Sequence, residues 1–310
     1  MDWKITAIGA VVSDIQGTMK KLWDLFGMGP WKIRKFSEDG RDLFLSAIFQ
    51  SEKLEIELVQ PSDQEGVYAS FLRDRGEGLH HICITPDQED GTEILIKDLE
   101  KKGIRKLMDL KTGENGRRVS MDTFDQLHFA LEIRSGREKP EAFGYYPGKD
   151  AVPDFKSRQY IRQMGIIVAD VDETIKNFEY YLGIGDWVTV PFNNSNMDRF
   201  YIEGQPEGVE FEFICSVRWK GEVEFELVQP VKGPLIYFDY LRRKGEGFNH
   251  YKTVMSDDEI QKLTEHMEPF GIHDVQSGDR AGNRHYNLNT ESSVGFTIEL
   301  GNGGKSIAQS

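Results

Sequence analysis

Cysteine is nearly absent. Cys83 and Cys215 are the two in 310 residues, too few for a disulfide framework. Long apolar runs are missing too, and none nears the roughly 18 residues that a membrane-spanning helix needs. The opening Met1-Asp2-Trp3-Lys4 leads into a short strand-like run without the pattern of a secretory signal. These absences give the expectation of a soluble, cytoplasmic protein with no membrane partner. Positive charge is in deficit, with a net charge of -14. Such a field repels phosphates and argues against nucleic acid or an anionic membrane surface, yet leaves room for one anionic small molecule held by a few local arginines. The runs Arg75 to Gly78 and Lys244 to Gly247 lack the Lys-Ser/Thr ending of a phosphate-binding loop, so they read as tight turns before a strand.

What the chain does have is repetition. Leu54-Glu55-Ile56-Glu57-Leu58-Val59-Gln60-Pro61 returns as Val223-Glu224-Phe225-Glu226-Leu227-Val228-Gln229-Pro230. Arg75-Gly76-Glu77-Gly78-Leu79-His80-His81 is answered by Lys244-Gly245-Glu246-Gly247-Phe248-Asn249-His250, and the offset is 169 for Glu57 to Glu226 as for His81 to His250. Earlier, Gly27 to Trp31 matches Gly183 to Trp187 at an offset of 156; later, Leu131-Glu132-Ile133 matches Ile298-Glu299-Leu300 at 167. One fold therefore occurs twice, with about a dozen residues inserted in copy two between Pro191 and Val217.

The expected division is a first domain over 1–137, a linker over 138–156, a second domain over 157–301 and a flexible tail over 302–310. Each copy reads as two strand–helix–strand–strand–strand units. Met19, Leu22, Trp23 and Phe26 recur at helical spacing after Asp14 and before Gly27; Ile175, Phe178 and Leu182 do so after Asp170 or Asp172. Ile94, Leu95 and Leu99 mark a helix over 92–102, with 257–267 as its partner.

Strand parity then sorts the polar residues. Leu54, Ile56 and Leu58 share one face of their strand and leave Glu57 on the other. The same alternation isolates His81, Glu132, Glu226, His250 and Glu299 on the face away from the helices. If each sheet is curved with that face inside, Glu57, His81 and Glu132 meet at one centre and Glu226, His250 and Glu299 at another. Imidazole nitrogen with carboxylate oxygen suits a divalent metal such as Mn, Co, Fe, Ni or Zn.

These residues resemble the vicinal-oxygen-chelate superfamily, which includes glyoxalase I, extradiol dioxygenases, fosfomycin-resistance proteins and methylmalonyl-CoA epimerase. The motifs Glu57 to Pro61 and Arg75 to Cys83 look most like the epimerase branch. The resemblance covers nearly the whole chain and implies an α+β fold: two tandem domains, each of paired βαβββ units in a cupped, mostly antiparallel sheet. It implies one metal ligand from each of strands one, four, five and eight. In copy two those are Gln163, Glu226, His250 and Glu299, the favoured set. In copy one they are Glu57, His81 and Glu132, with Ala7 where a fourth would stand.

The implied chemistry is a metal-dependent epimerase, isomerase or lyase that removes a proton next to the carbonyl of a small carbonyl or acyl substrate. By the same resemblance Glu210 and Glu212 would face the cup and act with Glu299, while Phe211 and Phe213 pack against helices. A ring-cleaving dioxygenase is the alternative, although that chemistry prefers two His and one carboxylate on Fe(II); a non-catalytic binding protein is the third reading. Substrate is not legible, and the assembly is expected to be a monomer or homodimer.

Overall fold

The computed structural model describes residues 2–139, 141–303 and 307. The chain divides into two compact units, Met1–Lys156 and Ser157–Ser310. The strands of the first are β1 (Trp3–Val11), β2 (Trp31–Glu38), β3 (Arg41–Gln50), β4 (Glu55–Pro61), β5 (Gly78–Pro86), β6 (Lys106–Lys111), β7 (Arg117–Met121), β8 (Ala130–Ser135) and β9 (Glu141–Tyr146). Its helices are α1 (Ile15–Phe26), α2 (Val67–Arg75), α3 (Gly91–Lys101) and the short α4 (Phe124–Leu127). The second unit has β10 (Ile161–Ile167), β11 (Val188–Asn193), β12 (Arg199–Ile202), β13 (Glu212–Lys220), β14 (Val223–Lys232), β15 (Gly247–Val254), β16 (Asp274–Arg280), β17 (Asn283–Leu288) and β18 (Thr297–Gly301). Its helices are α5 (Val171–Leu182), α6 (Ile236–Lys244), α7 (Asp257–Met267) and α8 (Glu291–Val294).

Each unit is one curled mixed sheet, a half-barrel with few helices, as the α+β expectation requires. The strand orders are β6-β7-β8-β5-β1-β4-β3-β2-β9 and β11-β13-β14-β10-β15-β18-β17-β16-β12. In the first, β1 runs parallel to β4 and β5 parallel to β8, while β1 and β5 join the two halves antiparallel at the centre. The second repeats this with β10, β14, β15 and β18. The four strands β4, β1, β5 and β8, like β14, β10, β15 and β18, are thereby neighbours, and the site is built on those central strands.

Local chemistry explains the helices. Asp14 accepts from the Gly17 N–H and Asp170 from the Glu173 N–H, which fixes the starts of α1 and α5. Gly27 and Gly183 end them in the left-handed conformation, at φ 65° and 67°. Helix α7 begins with a capping box between Ser256 and Glu259. In α3 the buried stripe is Leu95, Ile96 and Leu99; Ile94 is 45% exposed and does not belong to it.

The structure differs from the expected layout in two places. Residues 141–146, read as linker, form β9 and pair with the open edge of β2 from Trp31 opposite Tyr146 to Lys35 opposite Glu141. An edge strand with unsatisfied backbone groups takes up any adjacent extended segment of sufficient length. The copy-two insertion supplies β12, which pairs with β16 at the far edge of the second sheet. Among the described residues no helix is long and apolar enough to cross a membrane.

Candidate metal centre

In the second unit β10 lies between β14 and β15, so Gly165 faces Glu226 on one side and His250 on the other. A Cβ on Gly165 would fall 2.0 Å from the His250 ring, and Gly9 stands in the same relation to His81. Only glycine lets the imidazole lie across the central strand. His250 Nε2 is 3.3 Å from Glu226 Oε2 and 3.0 Å from Glu299 Oε2. One donor atom from each of the three residues lies within 4.8 Å of the others. The parity argument thus holds for Glu226, His250 and Glu299, which the fold does bring together.

Asn249, which the sequence reading passed over, sets the tautomer. Its Oδ1 lies 2.9 Å from His250 Nδ1 and accepts that N–H, leaving Nε2 to face the carboxylates. Burial pushes His250 down, but hydrogen bonds to Glu226 and Glu299 outweigh it and raise the group to about 9. Glu299 is pushed up by burial and held well below the usual carboxylate range by Lys252 and His250. Lys252 Nζ lies 2.8 Å from Glu299 Oε1. Cys215 donates to Glu226 at 3.5 Å, and burial raises its thiol far enough to keep it protonated.

Gln163 tests whether these residues fit a cation. Its Nε2 donates to Glu224 Oε2 at 2.7 Å, while its buried Oε1 has no hydrogen-bond partner. An orphaned buried oxygen costs about 1–3 kcal/mol, and a carbonyl-type oxygen is a good ligand for a hard or borderline cation. Charge agrees. Among the described residues Glu299 pairs with Lys252, whereas Glu226 has no Lys or Arg partner and is left with His250. The second unit fits the metal.

The first unit brings Glu57, His81, Glu132 and also Cys83 together as a donor group, but provides its own cations. His81 Nε2 lies 3.3 Å from Glu57 and 3.9 Å from Glu132. Arg118 donates to both carboxylate oxygens of Glu57, at 3.0 and 3.2 Å. Arg134 donates to Glu132 at 2.7 Å and also pairs with Glu57. Tyr68 donates to Glu132 at 2.7 Å and Ser46 to Glu57. Burial would raise both carboxyls; the two guanidiniums overcome it, holding Glu57 well below its usual value and Glu132 at about 2. The two guanidiniums thus already occupy carboxylate oxygens that a divalent ion would need, while pairing also with Glu138 and Glu55. Ala7 is buried and offers no donor.

Strand register shows how the copies diverged. Arg118 stands opposite Arg134 between β7 and β8, whereas the matching pair between β17 and β18 is His285 and Gly301. Where the first unit fills its cup with guanidinium groups, the second has an imidazole and no side chain. The room at Gly301 is taken by the Lys252 side chain, which a Cβ there would meet at 2.6 Å, and His285 lines a cavity of about 580 Å³ whose walls also include Phe192, Phe213, Val217, Tyr237 and Arg280. Gln163, Glu224, Glu226, Lys252 and Glu299 also line it.

The expectation for Glu210 and Glu212 is overturned. Phe213, Cys215 and Val217 line the cavity, and Glu212 does not. Glu210 is exposed and pairs with Lys232. On β13 the more buried face, Phe213, Cys215 and Val217, is the one that lines the cavity, so the polar face that alternation picks out is turned away from it. The usable signal was the repeat: Val217 stands opposite Glu226 in register and so shares its face. Other candidates fall into place. His80 packs edge-on against Phe71 at 4.7 Å, with its Nδ1 3.0 Å from that of His81, a positioning role. His285 sits on β17 and lines the cavity. Arg199 and Tyr201 are exposed on β12 and do not line it. Trp219 lies beneath the guanidinium of Arg162 at 5.1 Å.

A curled sheet of paired βαβββ units with His and Glu donors on its central strands defines a class. The chain belongs to the Glyoxalase/Bleomycin resistance protein/Dioxygenase superfamily, whose family model matches residues 7–121 and 162–288. Among solved structures it is similar to a mutant 4-hydroxymandelate synthase from Streptomyces coelicolor: TM-score 0.64, 12% identity, 98% of this chain and 94% of that one. It is also similar to a Mn(II)-bound glyoxalase from Novosphingobium aromaticivorans, with TM-score 0.50, 15% identity, and 96% and 81% of the two chains covered. At such identities the likeness is one of fold. It does not single out the epimerase branch. No curated protein sequence matches the chain.

Proposed function

We propose that the second unit is a metal-dependent active site that moves a proton on a carbon next to a carbonyl, making the chain an isomerase, epimerase or lyase. The observation that carries this is a cavity open onto Glu226, Glu299 and Gln163, whose buried oxygen is unsatisfied, with His250 Nε2 3.3 and 3.0 Å behind the two carboxylates. One imidazole among oxygen donors suits stabilisation of an enolate better than oxygen activation, for which two His and one carboxylate are the usual set on Fe(II). A divalent ion held by these four residues supplies the positive charge that steadies the oxyanion formed as the proton leaves.

The chain's own groups do the rest. Asn249 holds the imidazole in the needed tautomer, and Lys252 keeps Glu299 ionised and in place. Phe192, Phe213 and Tyr237 wall the cavity and limit water around the reacting carbon. His285 shares a face with Glu299, because Asn287 stands opposite Glu299 in the ladder and His285 lies two residues along. Burial lowers the pKa of His285, leaving a neutral ring able to accept a proton. It takes the role that sequence reasoning gave to Glu210 and Glu212.

Metal content of the purified chain tests the assignment. One ion per chain should be found by elemental analysis, abolished in His250→Ala and retained in His81→Ala. Loss in His81→Ala alone would move the site to the first unit. For the chemistry, the Mn(II)-loaded chain should exchange the acidic proton of α-hydroxyketones with deuterium in D2O; oxygen uptake with a catechol instead would make it a dioxygenase.

A further inference from the structure

Resting on the reading of the second-unit cavity as an active site, we propose that its substrate carries an anionic group apart from the chelating oxygens, bound by Arg280 with Arg162. The first support is charge pairing. Several other arginines are engaged by carboxylates, buried Arg118 and Arg134 by Glu57 and Glu132 and, at the surface, Arg243 and Arg284 by Glu291 and Asp279. Arg280 and Arg162 both line the cavity, and among the described residues neither has a carboxylate partner. Each lies over an aromatic ring instead, Arg280 on Phe192 at 5.0 Å and Arg162 on Trp219 at 5.1 Å. A guanidinium stacked on a ring keeps its in-plane N–H donors available, the geometry used to receive carboxylate or phosphate.

The second support is that Arg280 is held in position by structure the first copy lacks. Arg280 ends β16, and the inserted strand β12 pairs along β16 from Arg199 opposite Asp279. Asp198 fastens the turn at both ends: its N–H donates to the Asp279 carbonyl at 2.9 Å, and its carboxylate accepts from the Ala281 N–H at 2.6 Å. Asp279, the nearest carboxylate in sequence, is turned to Arg284 at 3.0 Å and leaves Arg280 free of it. At the offsets of 167 and 156 the first copy has Gly113 and Thr6 in these places. The insertion thus has a purpose: it carries a cation to the cavity only where the cavity is open.

The third support is what else the wall offers. Phe192 and Phe213 stack at 5.1 Å with rings 6° from parallel, and Met197 of the insertion and Val217 line the same space. The ligand class that fits has an oxygen chelate at one end, a flat apolar body and an anion at the other.

A matched pair of hydroxamates tests this on the full Mn(II)-loaded chain by calorimetry. Benzohydroxamate supplies chelate and body, and 4-carboxybenzohydroxamate adds the anion. The carboxylate should tighten binding about tenfold in the wild type, the order expected of one charge-assisted contact. That gain should fall to about twofold or less in Arg280→Met and vanish in Arg280→Met/Arg162→Met, with benzohydroxamate affinity unchanged. A 4-phosphono analogue tells the two anion types apart, and preference for either supports the subsite. Equal binding of the pair by the wild type, or a gain that survives in the double variant, overturns it. A metal-free arm separates this from the chelate reading. If no hydroxamate binds but 4-methylbenzoate still binds in an Arg280-dependent way, the anion subsite stands and the metal reading falls.

Discussion

A single hydrogen atom in place of a side chain governs each centre. Because a Cβ on Gly165 would meet the His250 ring at 2.0 Å, Gly165→Ala should displace the imidazole and cost about 1–3 kcal/mol in overpacking. We expect metal affinity to drop at least tenfold, as read by competition with a fluorescent chelator. Gly9→Ala, against His81, should cost comparable stability in urea melts and leave metal affinity alone. The arginines make the converse case. Removing Arg134 leaves Glu57 and Glu132 buried with one guanidinium, so Arg134→Met should destabilise the first unit by about 3–5 kcal/mol. The same pair sets an acid limit. Both carboxyls titrate lower in the folded chain than their ordinary 4.5, Glu132 at about 2. Their contribution is therefore complete above pH 4.5 and lost as pH falls toward 2. Near-UV circular dichroism should show first-unit signals melting across that window, and a flat response would count against the network. At this scale the sequence was a good guide where one face was polar. Glu57, His81, Glu132, Glu226, His250 and Glu299 all landed where alternation put them. It failed for Glu210 and Glu212 because the cavity side of β13 is itself apolar, Phe213, Cys215 and Val217, and for Arg118 and Arg134 because a charged residue on a strand reads as solvated until its neighbours are known.

Among elements, the copy-two insertion is the one with a task of its own. Its length was legible from the change in offset, but its path was not, since β12 pairs with β16, with Arg199 opposite Asp279 about 80 residues on, in an ordering only the folded sheet defines. Asp198 is its anchor on the β16–β17 turn. Asp198→Ala should loosen that turn and reduce the carboxylate gain of the hydroxamate pair by about threefold, at the low end of the net worth of one ordinary hydrogen bond. Metal binding should be unchanged, which separates anchoring of the arginine from damage to the whole sheet. Strand β9 was misread as linker for a related reason. Polar, glycine-bearing segments are chosen for sheets by an available edge more than by their own propensity.

For the molecule as a whole, duplication was the clearest message in the sequence, and two curled sheets are what it produced. Divergence within the pair is subtler, because Arg118 against His285 and Arg134 against Gly301 become meaningful only once the ladders set each residue beside its counterpart. If only the second unit holds metal, as proposed, Arg118→His with Arg134→Gly should let the first unit take up Mn(II), raising the count from one to two ions per chain by elemental analysis.

A half that carries its counter-ions as side chains needs nothing from its surroundings to mature. The amino-terminal unit leaves the ribosome first and can fold with guanidinium groups already in place, whatever the supply of trace elements. Starving a cell of manganese, or adding a chelator to the purified protein, would then soften only the later half. Calorimetry would show one transition moving and the other fixed.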